Sequence, residues 1–251
     1  MKSSTKNKHT WIVILSVAIL LLLWEMASLW IGSEHILPGP FTALKTTILL
    51  FGEKGFWSVV GSTIMRGLIG FAIAAVLGIV LGILGGLHTK FDAFMQPWVV
   101  VMRSVPVVAF ILLALIWFKS GSVPVFIGLL TMFPMIYSNI VSGIRNVDPK
   151  LIEMARFYHV GNKRIVKEVY IPAIAPFAVS GISTAIGIGW RAIIVGEVLS
   201  QPKYGIGTFM QSAQAFLQVD KVIAWTVIAV LLSFLFEKLI RFGEHKLLKW
   251  K

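Results

Sequence analysis

Residues 58–86 read SVVGSTIMRGLIGFAIAAVLGIVLGILGG, an apolar run that contains one charged residue, Arg66. A bilayer core about 30 Å thick needs roughly 20 mostly apolar residues per helix, so this run predicts a transmembrane helix. The whole chain agrees: of its 251 residues 57% are apolar and 14% are charged, and the mean hydropathy is +0.85. This composition excludes an ordinary water-soluble enzyme, in which about 25% of residues are charged.

Six stretches are long and apolar enough to cross a bilayer. They lie at about 11–31, 58–86, 98–118, 123–143, 174–199 and 222–242. The first is longer than the apolar region of a signal peptide and no cleavage pattern follows it, so we expect it to be retained. The segment Lys119–Pro124 has the residues of a tight turn, which makes the third and fourth spans a hairpin.

The polar stretches between the spans are too short for a soluble domain, and the longest of them are 32–57, 144–171 and 200–221. We therefore expect an all-α polytopic membrane protein whose residues 1–251 form a single transmembrane domain. The chain has no cysteine, which excludes disulfides and thiolate sites. The five histidines show no helical metal spacing, and no catalytic Ser/His/Asp set is recognisable, so neither a metal site nor a catalytic residue is predicted.

The distribution of lysine and arginine predicts the orientation, because cytoplasmic loops carry the excess of these residues. With both termini inside, fifteen of them fall on the cytoplasmic side: Lys2, Lys6, Lys8, Lys90, Arg145, Lys150, Arg156, Lys163, Arg164, Lys167, Lys238, Arg241, Lys246, Lys249 and Lys251. Five fall outside, at Lys45, Lys54, Lys119, Lys203 and Lys221, and three lie within spans, at Arg66, Arg103 and Arg191. The net charge of +12 is thus explained by topology, with no nucleic acid as a partner.

The stretch 144–172, on the cytoplasmic side between the fourth and fifth spans, has strong helix signals. Pro149 suits the first turn of a helix and Asp148 suits its N-cap, so we expect a helix that runs to about Tyr158. The chain would then break near His159-Val-Gly161. A merely solvated amphipathic loop is the alternative interpretation of this stretch.

A second short helix is expected directly after this break. Asn162 would cap it, it would cover Lys163 to Tyr170, and Pro172 would end it. Together the two helices would form a helix-turn-helix that protrudes into the cytoplasm.

Glu153-Met-Ala155 followed by Val169-Tyr-Ile-Pro172 resembles the EAA loop of bacterial ABC importer permeases, the binding-protein-dependent inner-membrane components. Further segments are similar to the nitrate, sulfonate and taurine branch of that family. They are Leu37-Pro-Gly-Pro40, Thr63-Ile-Met-Arg66-Gly-Leu-Ile-Gly-Phe71, Arg103-Ser-Val-Pro106, Leu115-Ile-Trp117-Phe118, Phe133-Pro134, Trp190-Arg191 and Glu197. The resemblance covers nearly the whole chain from about residue 35.

The resemblance implies a permease subunit of the bacterial inner membrane that works with cytoplasmic ABC ATPases, a second permease copy and an external binding protein or lipoprotein. The residues that it assigns to ATPase coupling are Glu153, Met154, Ala155, His159, Gly161 and Pro172. ATP and magnesium would be bound by the partner ATPase. This chain has no G-x-x-x-x-G-K-[S/T] loop, so we expect no cofactor and no enzymatic activity of its own.

One position departs from the family pattern, which places a glycine six residues after Glu153. This chain has His159 there and a glycine at Gly161. The turn needs a left-handed or otherwise unusual backbone angle, which glycine adopts freely and histidine more often than most residues. Either His159 accepts that conformation or the turn moves to Gly161.

Small residues in two spans predict a dimer packed through closely approaching helices, and in the fifth span they predict either a subunit contact or a pathway wall. They are Gly78 and Gly82 in the second span, and Gly181, Ala185 and Gly189 on one face of the fifth. Simple packing of glycine in membrane helices is the other interpretation for the second span.

Charged residues inside the spans are the other pathway candidates, because unpaired charges in a membrane are costly. Arg66, Arg191 and Glu197 are the residues concerned, and Arg191 would offer its guanidinium to an oxyanion. An ion pair between helices, such as Arg66 with Glu197 or Arg191 with Glu25, is the competing interpretation.

The expected function is transport of a small anionic or organic solute such as nitrate, a sulfonate or taurine. An ATP-independent secondary transporter is the alternative, although inverted repeats and broken helices in matching halves are not apparent. An intramembrane enzyme is disfavoured, because no catalytic cluster lies at a shared depth.

Overall fold

The computed structural model describes the backbone of residues 7–247 and the side chains of residues 11–238. The regular elements in this part of the chain are helices, so the predicted all-α class is confirmed. In chain order they are α1 (Asn7–Ile31), α2 (Pro40–Gly52), α3 (Phe56–Leu87), α4 (Thr89–Ser104), α5 (Val107–Trp117), α6 (Val123–Arg145), α7 (Pro149–Phe157), α8 (Asn162–Ile165), α9 (Ile171–Ser200), α10 (Ile206–Ala215) and α11 (Val219–Leu247). A π-helical turn, Val166–Tyr170, joins α8 to α9.

Five helical runs in the described chain are long and apolar enough to cross a membrane. They are found in α1, α3, α6, the continuous run Asn162–Ser200 and α11, and they contain five of the six predicted spans. The predicted hairpin turn is also present, because α5 ends at Trp117, α6 begins at Val123, and Ser122 N donates to Lys119 O at 2.8 Å.

The third predicted span, 98–118, is not a single helix. It is divided between α4 and α5, which meet at an angle of 101°. Pro106 has no N–H to donate and disfavours helical geometry in the residue before it, and Val105 is accordingly extended, with φ −74° and ψ 131°. The six-span prediction therefore becomes five long helices and one bent pair, which counts as a span if both arms are taken together.

Two segments predicted as polar loops contain helices. Helix α2 lies within 32–57, with Pro40 in its first turn and with Ala43, Thr47 and Leu50 buried along one face. Helix α10 lies within 200–221. Both are too short to cross a bilayer, so the length of the apolar runs in the sequence does not reveal them.

The chain packs as two compact units. The smaller unit consists of the described residues up to Trp57 together with Phe209–Val230. In it, Trp24 Nε1 donates to Pro38 O at 3.1 Å, and the rings of Phe56 and Trp225 stack with centroids 5.7 Å apart. The larger unit consists of Ser58–Thr208 together with the described residues from Leu231 onward, and its core is built around α6, where Ile136 and Tyr137 are fully buried.

The small-residue faces serve packing inside the larger unit. A Cβ atom on Gly78 would lie 2.8 Å from Ile136 Cβ, and one on Gly82 would lie 2.8 Å from Ile140 Cβ, so α3 approaches α6 closely at both positions. Gly78 and Gly82 therefore pack against a helix of the same chain, as the simple packing interpretation expects.

The face of α9 formed by Gly181, Ala185 and Gly189 also packs on α6. A Cβ atom on Gly181 would lie 2.7 Å from Asn139 Cβ, one on Gly189 would overlap Met132, and Ala185 is fully buried. Three residues with little or no side chain let the two helices approach closely. This face therefore packs against a helix of the same chain.

Candidate functional site

Helix α7 begins as the sequence predicts. Asp148 is its N-cap, and the Asp148 carboxylate accepts a hydrogen bond from Lys150 N at 2.9 Å. Pro149 occupies the first turn, where a missing N–H removes no helical hydrogen bond. The helix ends at Phe157, one residue before the predicted end.

His159 forms the turn after α7. Its φ is +54°, in the left-handed region, whereas Gly161 has φ −63° and ψ 144°, which any residue can adopt. His159 N donates to Arg156 O and Val160 N donates to Ala155 O, both at 2.9 Å, which is the Schellman pattern of helix termination. Of the two possibilities left open by the sequence, the first is thus correct: histidine adopts the conformation that the family glycine would adopt.

The second predicted helix begins and ends differently. Gly161 is the N-cap of α8 and Asn162 is its first residue, so Asn162 does not cap it. The chain then continues through the π-helical turn, where Ile171 N donates to Val166 O, and Pro172 lies in the first turn of α9. The prediction that Pro172 ends the helix is wrong, because a proline is tolerated in a first turn and the π-helical turn changes the hydrogen-bond register just before it.

Much of the surface of α7 is apolar and exposed. Phe157 is 78% exposed and Tyr158 is 73% exposed, and Leu151 and Met154 are also exposed. Glu153 is exposed as well, whereas Ala155 is buried. Helix α7 therefore carries exposed apolar side chains although it is too short to cross a bilayer.

The sequence-predicted residues Arg66 and Glu197 lie together in a buried polar cluster. Glu197 is 0% exposed, and its Oε1 accepts from Arg66 Nη1 at 2.6 Å. Thr63 Oγ1 lies 2.9 Å from Oε2, and Gly207 N donates to the same oxygen at 3.0 Å. The carboxylate is thus neutralised and fully hydrogen-bonded, as a buried charge must be.

This cluster also fixes the beginning of α10. Arg66 Nη1 donates to Tyr204 O at 2.7 Å, and Ile206 N donates to Thr63 Oγ1 at 2.9 Å. A Cβ atom on Gly205 would lie 2.7 Å from Glu197 Oε2, so glycine is needed for this close approach. Arg66 and Glu197 therefore form the interhelical ion pair that was the competing interpretation.

Arg191 is placed differently. Its side chain is exposed and lines a cavity of about 540 Å³ between α9 and the part of α11 that follows Leu231. Ser180, Ser183 and Thr184 from the same helix line this cavity too. Among the described side chains Arg191 has neither an ion pair nor a hydrogen bond, in contrast to Arg66.

A second polar cluster was not predicted from the sequence. Asp92 Oδ2 lies 2.9 Å from Arg145 Nη2, and Tyr137 Oη donates to Asp92 Oδ1 at 2.8 Å. The cluster ties α4 to the last turn of α6, directly before α7. Opposite charges near the ends of neighbouring predicted spans were the available signal, but nothing in the sequence shows which helices are adjacent.

The family follows from comparison with known sequences. The binding-protein-dependent transport system inner membrane component family matches residues 74–249. The chain belongs to this family. The resemblance seen in the EAA-like loop is thereby confirmed, and the matched region includes α7, the Arg66 partner Glu197 and the Arg191 cavity.

Several permeases of the family are similar along most of their length. The putative aliphatic sulfonates transport permease protein SsuC of Bacillus subtilis (strain 168) is 31% identical, over 100% of this chain and 91% of that protein. The taurine transport system permease protein TauC of Escherichia coli (strain K12) is 26% identical, over 94% of this chain and 88% of that protein. The bicarbonate transport system permease protein CmpB of Synechococcus elongatus is 28% identical, over 91% of this chain and 86% of that protein.

Solved transporter structures share the fold of this family member. A crystal structure of an amino acid ABC transporter with histidines has a TM-score of 0.63 at 17% identity, covering 81% of this chain and 96% of that one. An inward-facing structure of the MetNI methionine ABC transporter has a TM-score of 0.56 at 17% identity, covering 77% of this chain and 92% of that one. At such identities the likeness shows the fold alone.

Proposed function

We propose that the chain, a permease component of the ABC importer type, couples to cytoplasmic ATPase subunits through α7. The observation that carries this proposal is the exposed apolar surface of α7 on a helix whose two ends are fixed. Asp148 fixes its start and His159 fixes its end, so the helix is presented as a rigid element. Residues 1–251 would act as one permease domain, and ATP and magnesium would be bound by the partner chains.

The spacing of the exposed apolar residues supports docking into a groove. Leu151, Met154 and Tyr158 follow the spacing i, i+3, i+7, the pattern by which a helix lays one face into a hydrophobic groove. Glu153 lies beside this stripe and is exposed, so it can meet a basic group at the groove rim. We propose Glu153, Met154 and Ala155 as coupling residues, with His159 as the residue that sets the turn, while Gly161 and Pro172 shape the connection to α9.

The distribution of positive charge supports a cytoplasmic position for α7. The segment from Arg145 to Lys167 carries six lysine and arginine residues, whereas the short turn between α5 and α6 carries one, Lys119. Because positive charge accumulates on the cytoplasmic side, we propose that both termini and α7 lie on the cytoplasmic side of a bacterial inner membrane.

The transport pathway is proposed to form between two copies of the chain. The Arg191 cavity opens on the surface of a single chain, which supports completion of the pathway by a second copy. Arg191 is the one pathway candidate that we retain from the sequence, since Arg66, Glu197 and the small-residue face of α9 are engaged within the chain. An external binding protein would deliver the substrate, as the family name implies.

The proposed substrate is a small anionic or organic solute such as nitrate, a sulfonate or taurine. Relatives whose names state aliphatic sulfonates, taurine and bicarbonate support a cargo that carries an oxyanion group. An exposed arginine in the larger unit, with its planar fork of donors, is the complementary group.

ATP dependence tests this function against the alternative of a secondary transporter. In proteoliposomes that contain the chain, its co-purified ATPase and its binding protein, uptake of the delivered solute should require ATP and should persist when ion gradients are collapsed. Omission of ATP should reduce uptake to the level of empty liposomes. Uptake that follows an ion gradient and needs no ATPase would favour the secondary transporter instead.

A further inference from the structure

The Asp92 cluster, formed by Asp92, Tyr137 and Arg145, lies beside the connection between α6 and α7. Asp92 is 6% exposed and belongs to the first turn of α4, whereas Tyr137 and Arg145 belong to α6. Arg145 is the last residue of α6, and only residues 146–148 separate it from α7. Burial of a charge is costly even when the charge is paired, so a buried carboxylate next to the proposed coupling helix calls for an explanation.

The carboxylate of Asp92 has three polar partners. Its Oδ1 accepts from Tyr137 Oη at 2.8 Å and from Gln96 Nε2 at 3.1 Å, and its Oδ2 lies 2.9 Å from Arg145 Nη2. Arg145 Nη2 also donates to Gly85 O at 3.3 Å, near the end of α3. Because hydrogen bonds are directional, the cluster fixes the positions of α3, α4 and α6 relative to one another.

Helix α4 depends on this cluster for its register on α6. The buried residues of α4 are Asp92 and Val99, so a single apolar side chain anchors the helix besides the carboxylate. Apolar packing is non-directional and lets packed helices slide past one another. The polar contacts of Asp92 are therefore the part of the interface that resists sliding.

The connection from α6 to α7 is also firmly held. Asn146 N donates to Ser142 O at 3.0 Å, and Asn146 Nδ2 donates to the same oxygen at 2.8 Å. Val147 is buried, and its N donates to Ile144 O at 3.3 Å. Asp148 then caps α7. A displacement of α7 is therefore expected to move the end of α6 with it.

Two connections lead from α7 to the rest of the larger unit. After α7, the continuous helical run Asn162–Ser200 leads into α9. Before α7, the chain leads back into α6, and the Asp92 cluster ties the end of α6 to α4 and α3. Helix α4 meets α5 at the bend of 101°, so α5 does not continue its axis. A movement that starts at α7 thus has a polar connection to α4 at the Asp92 cluster.

We propose that the Asp92 cluster is a positioning element of coupling, which transmits a displacement of α7 through the end of α6 to α4 and α3. The proposal rests on the proposed docking of α7 on an ATPase, and it adds a second route beside the one through α9. Asp92 and Arg145 act through the helices that they join, so they are positioning residues. Their ion pair keeps α4 in register with α6 while the transporter changes conformation.

Asp92→Asn tests the ion pair with little change in shape. The amide oxygen can still accept from Tyr137 and Gln96, but the charge that pairs with Arg145 is lost. Solute uptake per ATP hydrolysed, measured in proteoliposomes with the full chain and its partners, should fall about fivefold, a moderate effect because the Arg145 side chain is 42% exposed to water. Co-purification of the ATPase should be unchanged, since α7 itself is not altered.

Two control variants match this change. Glu168→Gln also removes the acidic partner of an arginine, but Arg164 and Glu168 are exposed and lie four residues apart in one helical run. Ile193→Val removes a methyl group from a fully buried side chain on α9 and lowers the melting temperature without altering the cluster. Both variants should transport as much solute per ATP as the parent protein.

Changes at Arg145 separate position from stability. Arg145→Lys keeps a charge that can pair with Asp92, so it should retain most of the uptake per ATP. The double variant Asp92→Asn with Arg145→Gln has no charge left in the cluster, so no unpaired charge is buried. It should assemble as well as the parent protein and still show the fivefold loss.

The proposal is overturned by a parent-like uptake per ATP in Asp92→Asn or, if that variant does not assemble, in the double variant. An equal loss in Asp92→Asn and Ile193→Val at the same melting temperature also overturns it, because the effect would then follow stability. Either result, with normal ATP-driven uptake by the parent protein, leaves the importer function standing. Absence of ATP-driven uptake in the parent protein refutes the importer function and the coupling role of the cluster together.

Discussion

Replacement of Arg66 with alanine is expected to prevent stable assembly of the chain. Glu197 would remain fully buried without its cation, and removal of one partner of a buried ion pair costs about 3–5 kcal/mol. Tyr204 O would lose a hydrogen bond in the same variant, and the start of α10 would lose an anchor. The yield of membrane-inserted protein and its melting temperature in detergent measure this effect.

Two variants serve as controls for Arg66→Ala. In the double variant Arg66→Ala with Glu197→Gln, the side chain at 197 is neutral and can still accept from Thr63 and Gly207, so much of the stability should return. In Arg191→Ala, an exposed arginine that forms no ion pair with the described side chains is removed, and the melting temperature should change little. An Arg66→Ala protein as stable as the parent would show that the cluster does not hold the larger unit together.

Replacement of His159 with valine is expected to uncouple ATP hydrolysis from transport. The position has φ +54°, and a β-branched residue in the left-handed region costs about 1–2 kcal/mol, which corresponds to a roughly 5–30-fold loss of the correctly formed turn. Because this turn fixes the end of α7, uptake should fall by a similar factor while the chain remains in the membrane. The ratio of solute transported to ATP hydrolysed measures the effect.

The chain offers matched controls for this turn. His159→Gly restores the residue of the family pattern and should transport normally. Gly161→Ala should also be tolerated, because Gly161 has an ordinary backbone conformation and nothing lies within 4 Å of its added Cβ. Loss of transport in Gly161→Ala, together with normal transport in His159→Val, would show that the critical turn residue is Gly161 and not His159.

Local signals in the sequence predict local structure well in this protein. Long apolar runs locate the five long helices, and Asp148 with Pro149 predicts the start of α7, because capping depends on residues a few positions apart. The family resemblance at Glu153 is equally local. The choice between His159 and Gly161 depends on the folded backbone, since both residues tolerate unusual backbone angles.

Predictions that depend on which helices are neighbours were less successful. The small residues of α9 were assigned to a pathway or a subunit contact, yet their partner is α6 of the same chain. The cluster of Asp92, Tyr137 and Arg145 was missed for the same reason, because it joins residues that are far apart in sequence. Composition also gave no sign of the 101° bend, although Pro106 marks its position.

Photo-cross-linking from α7 tests the central claim most directly. With Met154→Cys as the single thiol in the chain, a benzophenone maleimide attached there reports what contacts this face in the assembled transporter. Irradiation should give a covalent adduct with the ATPase subunit, identified by mass spectrometry, and the same reagent at Ser120→Cys, at the opposite end of α6, should give none. An ATPase adduct from residue 120 and none from residue 154 would contradict both the coupling role of α7 and its position on the cytoplasmic side.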